Sequence, residues 1–189
     1  VYVPSLYDIS YNEDGTVKAV TPKNGAPEKV TKRIIKDLDS VFYPEDFVVP
    51  FIDVVHDRVT HEIFRGCIRG CRFCQAGFLY RPIREKSPEV INERCKKLCE
   101  TTGYDEISLC SLSSSDYTKM EERLNLLLDW TGEKKINVAL PSLRVDNFSE
   151  ELMKKLTDVR KSGLTFAPEY LFKAVDLLVF QFLWFALRF

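Results

Sequence analysis

Apolar and polar residues alternate in two short stretches near the start of the chain, at residues 6–11 and 16–20. The segment between them, residues 12–15, reads Asn-Glu-Asp-Gly, which favours a tight turn. This pattern predicts a β-hairpin. Residues 28–40 are mostly polar and predict a short helix, whereas residues 41–58 contain two prolines and predict extended chain.

From residue 59 onwards the pattern changes to strands that alternate with amphipathic helices. Apolar runs predict strands at residues 59–64, 106–112, 136–140 and 164–167. Apolar residues spaced along one helix face predict helices at residues 88–102, near 117–131, and from 147 or 149 to about 162. The first helix is bounded by Ser87, a typical N-cap, and by Gly103. Because such alternation is typical of a parallel sheet with right-handed crossovers, the pattern predicts an α/β fold.

Composition and charge narrow the class of protein. The chain has 189 residues, of which 45% are apolar and 29% charged, and these values are typical of a globular protein. Its 27 basic and 28 acidic residues nearly cancel, whereas a general electrostatic nucleic-acid binder is distinctly basic. We therefore expect no nucleic-acid binding of that kind.

The two ends of the sequence carry no evident targeting or membrane signal. The chain begins with Val1 and lacks the basic and apolar segments of a secretory signal. Residues 170–189 are rich in Leu, Phe and Trp, but their uninterrupted stretch, Leu177–Leu187, includes Gln181. That stretch is shorter than the roughly 20 residues that a membrane helix needs. We expect no membrane association, a cytoplasmic location, and a chain that starts inside a longer protein.

The strongest chemical signal is a run of three cysteines, Cys67, Cys71 and Cys74, spaced C-x3-C-x2-C in a loop rich in Gly and Arg. In a reducing compartment, clustered cysteines indicate metal or redox chemistry more often than disulfides. Thiolates this close in sequence can ligate one iron–sulfur cluster. Three of them would hold three irons of a [4Fe–4S] cluster and leave the fourth iron open to a substrate or cofactor.

Two other interpretations of the cysteine run stay open. The three residues could be inert thiols, or part of a zinc site whose fourth ligand comes from His61, Cys95, Cys99 or Cys110. Zinc sites favour paired C-x2-C units, and the sequence has no second pair. Cys95 and Cys99 lie one turn apart on a predicted helix and Cys110 lies in a predicted strand, so we predict that these three are core thiols.

The run Cys67, Cys71 and Cys74 resembles the signature of the radical S-adenosylmethionine (SAM) enzymes. Longer strings around it resemble, more narrowly, the radical SAM family that carries an N-terminal cobalamin-binding-like domain. These strings are residues 55–58, 65–77, 80–82, 111–117, 140–146 and 166–169. The resemblance covers roughly residues 1–169.

This resemblance implies a partial (β/α) barrel of about four parallel units at residues 59–169, preceded by an extension at residues 1–58 that contains the β-hairpin. It implies that Cys67, Cys71 and Cys74 ligate a [4Fe–4S] cluster whose fourth iron binds SAM. An electron from a donor such as a flavodoxin or ferredoxin would then cleave SAM to a 5′-deoxyadenosyl radical. That radical would abstract hydrogen from a substrate, which the sequence does not identify.

The resemblance also implies which residues hold SAM, at the carboxyl ends of the predicted strands. They are Phe73 near the adenine, Ser113, Ser114 and Ser115 near the amino group, Arg144 at the carboxylate and Glu169 near the ribose. The serines could equally form a turn and a helix cap, and Arg144 could form a surface ion pair. No catalytic residue is assigned beyond the cluster ligands.

The sequence departs from the resembled family at both ends. It has no cobalamin-binding signature D-x-H-x-x-G, so we expect no cobalamin in this chain. After Glu169 it changes to the apolar tail at residues 170–189, which we interpret as a truncation or a frameshift. A fragment of this kind would assemble a cluster but turn over poorly. Two other functions stay open: an iron–sulfur electron-transfer module and a zinc-stapled interaction domain.

Overall fold

The structure of the chain is a computed structural model that describes residues 1–118, 120–144, 150–157, 159 and 166–167. The chain forms two compact units, Val1–Lys36 and Asp37–Phe189. The first unit holds the predicted hairpin, and the second holds the strands and helices that follow it.

The first unit is built on an antiparallel hairpin. A 3-10 turn at Pro4–Leu6 leads into β1 (Tyr7–Tyr11), which pairs with β2 (Val17–Pro22). In the connecting turn the N–H of Gly15 donates to the carbonyl of Asn12 at 3.1 Å, and the φ of Gly15 is 80°. Glycine adopts such a positive φ without steric cost. The predicted hairpin is confirmed.

The helix predicted for residues 28–40 is wrong, because the structure describes all of this segment and has no helix in it. Of these residues Leu38 alone has a buried side chain, and Ile34 and Ile35 are exposed, so the segment packs no apolar face against the protein. Isolated helices shorter than roughly 12–15 residues are marginal in water. A polar pattern alone therefore does not specify a helix.

The second unit alternates strands and helices. In chain order its elements are β3 (Val59–Glu62), β4 (Phe64–Arg65), α1 (Gln75–Leu79), β5 (Arg84–Glu85), α2 (Pro88–Thr102), β6 (Glu106–Cys110), α3 (Met120–Lys134), β7 (Asn137–Ala139), β8 (Leu143–Arg144), α4 (Glu150–Thr157) and β9 (Phe166–Ala167). Strands β3, β6 and β7 pair in that order as a parallel sheet, with Ile107 opposite both Val59 and Val138. The predicted α/β fold is confirmed.

The core of the second unit lies between this sheet and helices α2 and α3. Side chains alternate along each strand, so Val59, Ile107 and Leu109 share one face and are buried with apolar residues of the helices. The helix residues in this cluster include Ile91, Cys95, Leu98, Leu124 and Leu127. The opposite face of the sheet carries polar side chains, of which Ser108 and Asn137 are buried.

The helix boundaries follow local signals where the sequence supplies them. Ser87 caps α2 by accepting a hydrogen bond from the N–H of Val90 at 3.3 Å, and Gly103 ends it with a φ of 76°. Both boundaries agree with the prediction. Helix α3 begins at Met120 rather than near 117, because Tyr117 is extended and its side chain packs in the core.

The remaining strands of the second unit form short pairs. Strand β4 pairs antiparallel with β5, and β8 pairs parallel with β9, separately from the three-stranded sheet. A partial barrel of about four units and the domain limits 1–58, 59–169 and 170–189 therefore stay predictions. The tail at residues 170–189 lies outside the described residues. Within the described part of the chain, no helix is long and apolar enough to span a bilayer.

Candidate functional site

The three predicted cluster ligands lie in one loop between β4 and α1, here called the cysteine loop (residues 66–74). Cys67, Cys71 and Cys74 are each half-buried, so their thiols are within reach of solvent. The N–H of Cys74 donates to the carbonyl of Cys71 at 3.0 Å, which closes a turn. The N–H of Arg69 donates to Cys67 Sγ at 3.4 Å. The loop therefore already directs a backbone donor at one thiol.

Gly66 lets the cysteine loop pass close to the chain that follows α1. Its φ is 100°, and a Cβ at this position would lie 2.8 Å from the carbonyl oxygen of Tyr80 and 2.9 Å from that of Pro82. The same two carbonyls accept hydrogen bonds from the guanidinium of Arg84, at 3.0 Å each. Because backbone occupies the space, a residue without a side chain is required here.

The donor chemistry of the cysteine loop suits an iron–sulfur cluster. Three thiols within eight residues are the soft ligands that such irons prefer. Hydrogen bonds to the sulfurs, like that from Arg69 to Cys67, are known to tune these clusters. Among the residues that the structure describes, no three His, Cys, Asp or Glu side chains are gathered as a metal-ligand set.

Three of the alternative zinc ligands are buried. Burial raises the pKa of Cys95 to about 12 and that of Cys99 to about 11, so both stay protonated at neutral pH. Their predicted place in the core is confirmed. His61 is also buried, and its ring packs edge-on against Tyr43. None of these side chains offers a thiolate or an exposed imidazole to the cysteine loop.

Cys110 differs from its prediction, because it is exposed and does not lie in the core. It ends β6 and follows the buried Leu109, so its side chain lies on the face of the sheet opposite to that of Leu109. Partial burial and the charge of Glu62, its register partner in β3, raise the pKa of Cys110. Two hydrogen bonds from Arg65, at 2.8 and 2.7 Å, lower the pKa of Glu62.

The serines predicted to contact SAM are buried in the loop between β6 and α3, here called the serine loop (residues 111–118). Ser114 Oγ donates to the carbonyl of Pro141 at 2.6 Å, and Ser115 Oγ accepts from the N–H of Arg144 at 3.1 Å. These bonds join the carboxyl end of β6 to the chain that follows β7. Contact of Ser113, Ser114 and Ser115 with SAM stays a prediction.

The structure describes two of the three other residues that are predicted to contact SAM. Phe73 lies between the second and third cysteines and is 82% exposed, so its flat face is available to a ligand. Arg144 is half-buried in β8. Glu169 lies outside the described residues. The roles of all three stay predictions.

An ion pair that the sequence analysis missed joins the two loops. Arg69 donates two hydrogen bonds to the carboxylate of Asp116, from Nε to Oδ2 at 2.8 Å and from Nη2 to Oδ1. The side chain of Asp116 is 2% exposed, and its Oδ2 also accepts from Ser113 Oγ at 2.8 Å. The one signal in the sequence is an acidic residue that follows a run of serines, 47 residues after an arginine of the cysteine loop.

Comparisons with known proteins cover the part of the chain that contains the cysteine loop. The chain is 32% identical to an uncharacterized protein of Methanocaldococcus jannaschii over 108 residues, which make up 57% of this chain and 23% of that protein. The chain thus spans less than a quarter of the length of this curated relative. No solved structure matches the chain. A family model described as the radical SAM superfamily matches residues 61–176, more than half of the sequence, and the chain therefore belongs to the radical SAM superfamily.

Proposed function

We propose that this chain is the cluster- and SAM-binding part of a radical SAM enzyme that abstracts hydrogen from a substrate. The observation that carries the proposal is the placement of three half-buried thiols in one loop beyond the carboxyl end of β3, in a chain of this superfamily. Active sites of parallel α/β folds lie at the carboxyl ends of their strands. The serine loop and the chain after β7 lie beyond the same ends of the neighbouring strands.

In this proposal Cys67, Cys71 and Cys74 ligate a [4Fe–4S] cluster. When bound, the cluster and SAM supply the electron and the 5′-deoxyadenosyl radical that remove hydrogen from the substrate. The exposed ring of Phe73 would stack on the adenine, and the guanidinium of Arg144 would pair with the carboxylate of SAM. The half-buried thiols leave the loop accessible to an electron donor such as a flavodoxin or ferredoxin.

The test is an EPR spectrum of the anaerobically reconstituted, dithionite-reduced chain, recorded with and without SAM. We expect a reduced [4Fe–4S] signal whose shape changes when SAM is added, because SAM would bind the iron that has no protein ligand. The variant Cys67→Ala should lose the cluster. The matched control is Cys110→Ala, which removes an exposed thiol outside the run and should keep the cluster.

Three results would contradict the proposal in different ways. A cluster signal that does not respond to SAM would favour an electron-transfer module. A colourless protein that binds zinc would favour a zinc-stapled interaction domain. A Cys67→Ala variant that keeps its cluster would overturn the ligand assignment itself.

A further inference from the structure

Asp116 and Arg69 connect the serine loop to the cysteine loop at the proposed cluster site. Asp116 ends the 3-10 turn Ser114–Asp116, and its side chain is 2% exposed. A carboxylate this buried is costly without a partner. The Arg69 guanidinium supplies that partner through a two-point fork, which fixes direction as well as distance. The pair therefore restrains both loops relative to each other.

Arg69 acts on the cysteine loop through its backbone as well as its side chain. It lies between Cys67 and Cys71, and its N–H donates to Cys67 Sγ at 3.4 Å. On the far side of the fork, Ser113 Oγ holds Oδ2 of Asp116 at 2.8 Å. The orientation of the Arg69 peptide is thus tied to the serine loop. Groups that orient ligands and bond to their sulfurs govern how tightly a metal centre is held and at what potential it is reduced.

We propose that Asp116 is a positioning residue for the cluster and acts through Arg69. The pair holds the first half of the cysteine loop over the carboxyl end of the sheet and keeps the Arg69 N–H on Cys67 Sγ. This inference rests on the proposed function, because it concerns the cluster that the three cysteines are proposed to bind. It predicts that breaking the fork loosens the cluster although all three thiols remain.

The test measures how fast a chelator removes iron from the anaerobically reconstituted full chain. Asp116→Asn removes the charge of the carboxylate with little change of shape. It should speed iron release on the order of 10- to 100-fold, the usual effect of losing a group that orients a metal ligand. The double variant Arg69→Asp with Asp116→Arg restores the ion pair with reversed polarity and keeps the backbone N–H. It should recover most of the loss.

The matched control breaks an ion pair at the far end of β6, the strand that precedes the serine loop. Glu106 begins β6 and pairs with Arg58 at 2.6 Å, and Glu106→Gln should leave iron release unchanged. Redox titrations followed by EPR add a second readout, in which Asp116→Asn should shift the midpoint potential and Glu106→Gln should not. Where Asp116→Asn does not fold, Arg69→Lys replaces it, since lysine keeps the charge without the fork and should also speed iron release.

The proposal is overturned by unchanged iron release in the variants of the fork, by an equal increase in Glu106→Gln, or by a double variant that recovers nothing. Failure of the proposed function gives a different result. A wild-type chain that assembles no cluster would remove the proposed function and this inference together. If the wild-type cluster responds to SAM and the variants release iron as slowly as wild type does, only the positioning role of Asp116 is overturned.

Discussion

Gly66 occupies a position where the fold has no room for a side chain. A Cβ there would lie 2.8 Å from the carbonyl oxygen of Tyr80, and its φ of 100° is one that other residues rarely adopt. We expect Gly66→Ala to lower the free energy of unfolding of the apo chain by about 1–3 kcal/mol and to reduce iron incorporation, because the cysteine loop must shift. Urea unfolding and iron analysis of the reconstituted protein measure the two effects.

Gly132 in α3 is the matched control for this glycine. A methyl group at Gly132 would meet open space, and alanine favours a helix interior over glycine by up to about 1 kcal/mol. Gly132→Ala should therefore keep or raise the stability and leave the iron content unchanged. Equal behaviour of the two variants would show that close packing at Gly66 does not shape the loop.

His61 couples the stability of the core to pH. It is buried, with Nε2 at 3.5 Å from the Lys86 amine, and its ring packs against Tyr43. Burial, and then the charges of Lys86 and Arg94, lower the pKa of His61 from 6.5 to about 3. The folded chain thus binds fewer protons than the unfolded chain at pH values between these two. The stability that depends on neutral His61 is complete above pH 6.5 and is lost as the pH falls towards 3.

The variant His61→Gln should remove this pH dependence. Between pH 6 and pH 4, wild type should lose up to about 1.4 kcal/mol of unfolding free energy per pH unit more than the variant does. Urea unfolding of the apo chain at several pH values measures the difference. His56→Gln, which replaces the exposed histidine, controls for the loss of an imidazole as such. The same slope in wild type and His61→Gln would exclude His61 as the titrating group.

At the scale of single elements, the sequence predicts a helix or strand where local signals agree with each other. The bounds of α2 are predicted because Ser87 and Gly103 flank a stripe of apolar residues that has a sheet to cover. The hairpin is predicted because alternation and turn residues agree. Residues 28–40 carry Val30, Ile34 and Leu38 at helical spacing, but Leu38 alone is buried, and the predicted helix is absent from a segment that the structure describes in full.

Exposure along a strand depends on what covers each face, which periodicity does not report. Leu109 and Cys110 are neighbours in β6, yet the first is buried under helices and the second is exposed. The sequence shows that their side chains alternate, but not that Cys110 is exposed while Ser108, on the same face of β6, is buried. Likewise, the placement of the three cysteines in one loop can be predicted from their spacing alone. The fork between Arg69 and Asp116 cannot, because it depends on which strands are neighbours in the sheet.

At the scale of the whole molecule, the parallel order of β3, β6 and β7 assembles the proposed site. The chain leaves each of these strands at the same edge of the sheet, so the cysteine loop, the serine loop and the chain after β7 all begin there. Hydrogen bonds from Arg69 to Asp116 and from Ser114 to Pro141 then connect the three segments. The resemblance predicts the site at this edge of the sheet, whereas the contacts between the loops are known only from the structure.

The same organisation predicts that the first unit is dispensable for cluster binding. Val1–Lys36 is a compact unit of its own, whereas the cysteine loop and Asp116 both belong to Asp37–Phe189. A chain without residues 1–36 should bind as much iron as the full chain and show the same EPR change with SAM. The matched deletion removes residues 1–47, and with them Leu38 and Tyr43.

The deletion of residues 1–47 should lose bound iron that the deletion of residues 1–36 retains. Leu38 is buried, and the hydroxyl of Tyr43 donates to the carbonyl of Thr60 in β3 at 2.6 Å, so Tyr43 supports the strand that precedes β4 and the cysteine loop. The 1–47 deletion should therefore lower both the unfolding midpoint and the iron content. Loss of the cluster in the 1–36 deletion would contradict the prediction, because the hairpin unit would then contribute to a site whose ligands all lie outside it.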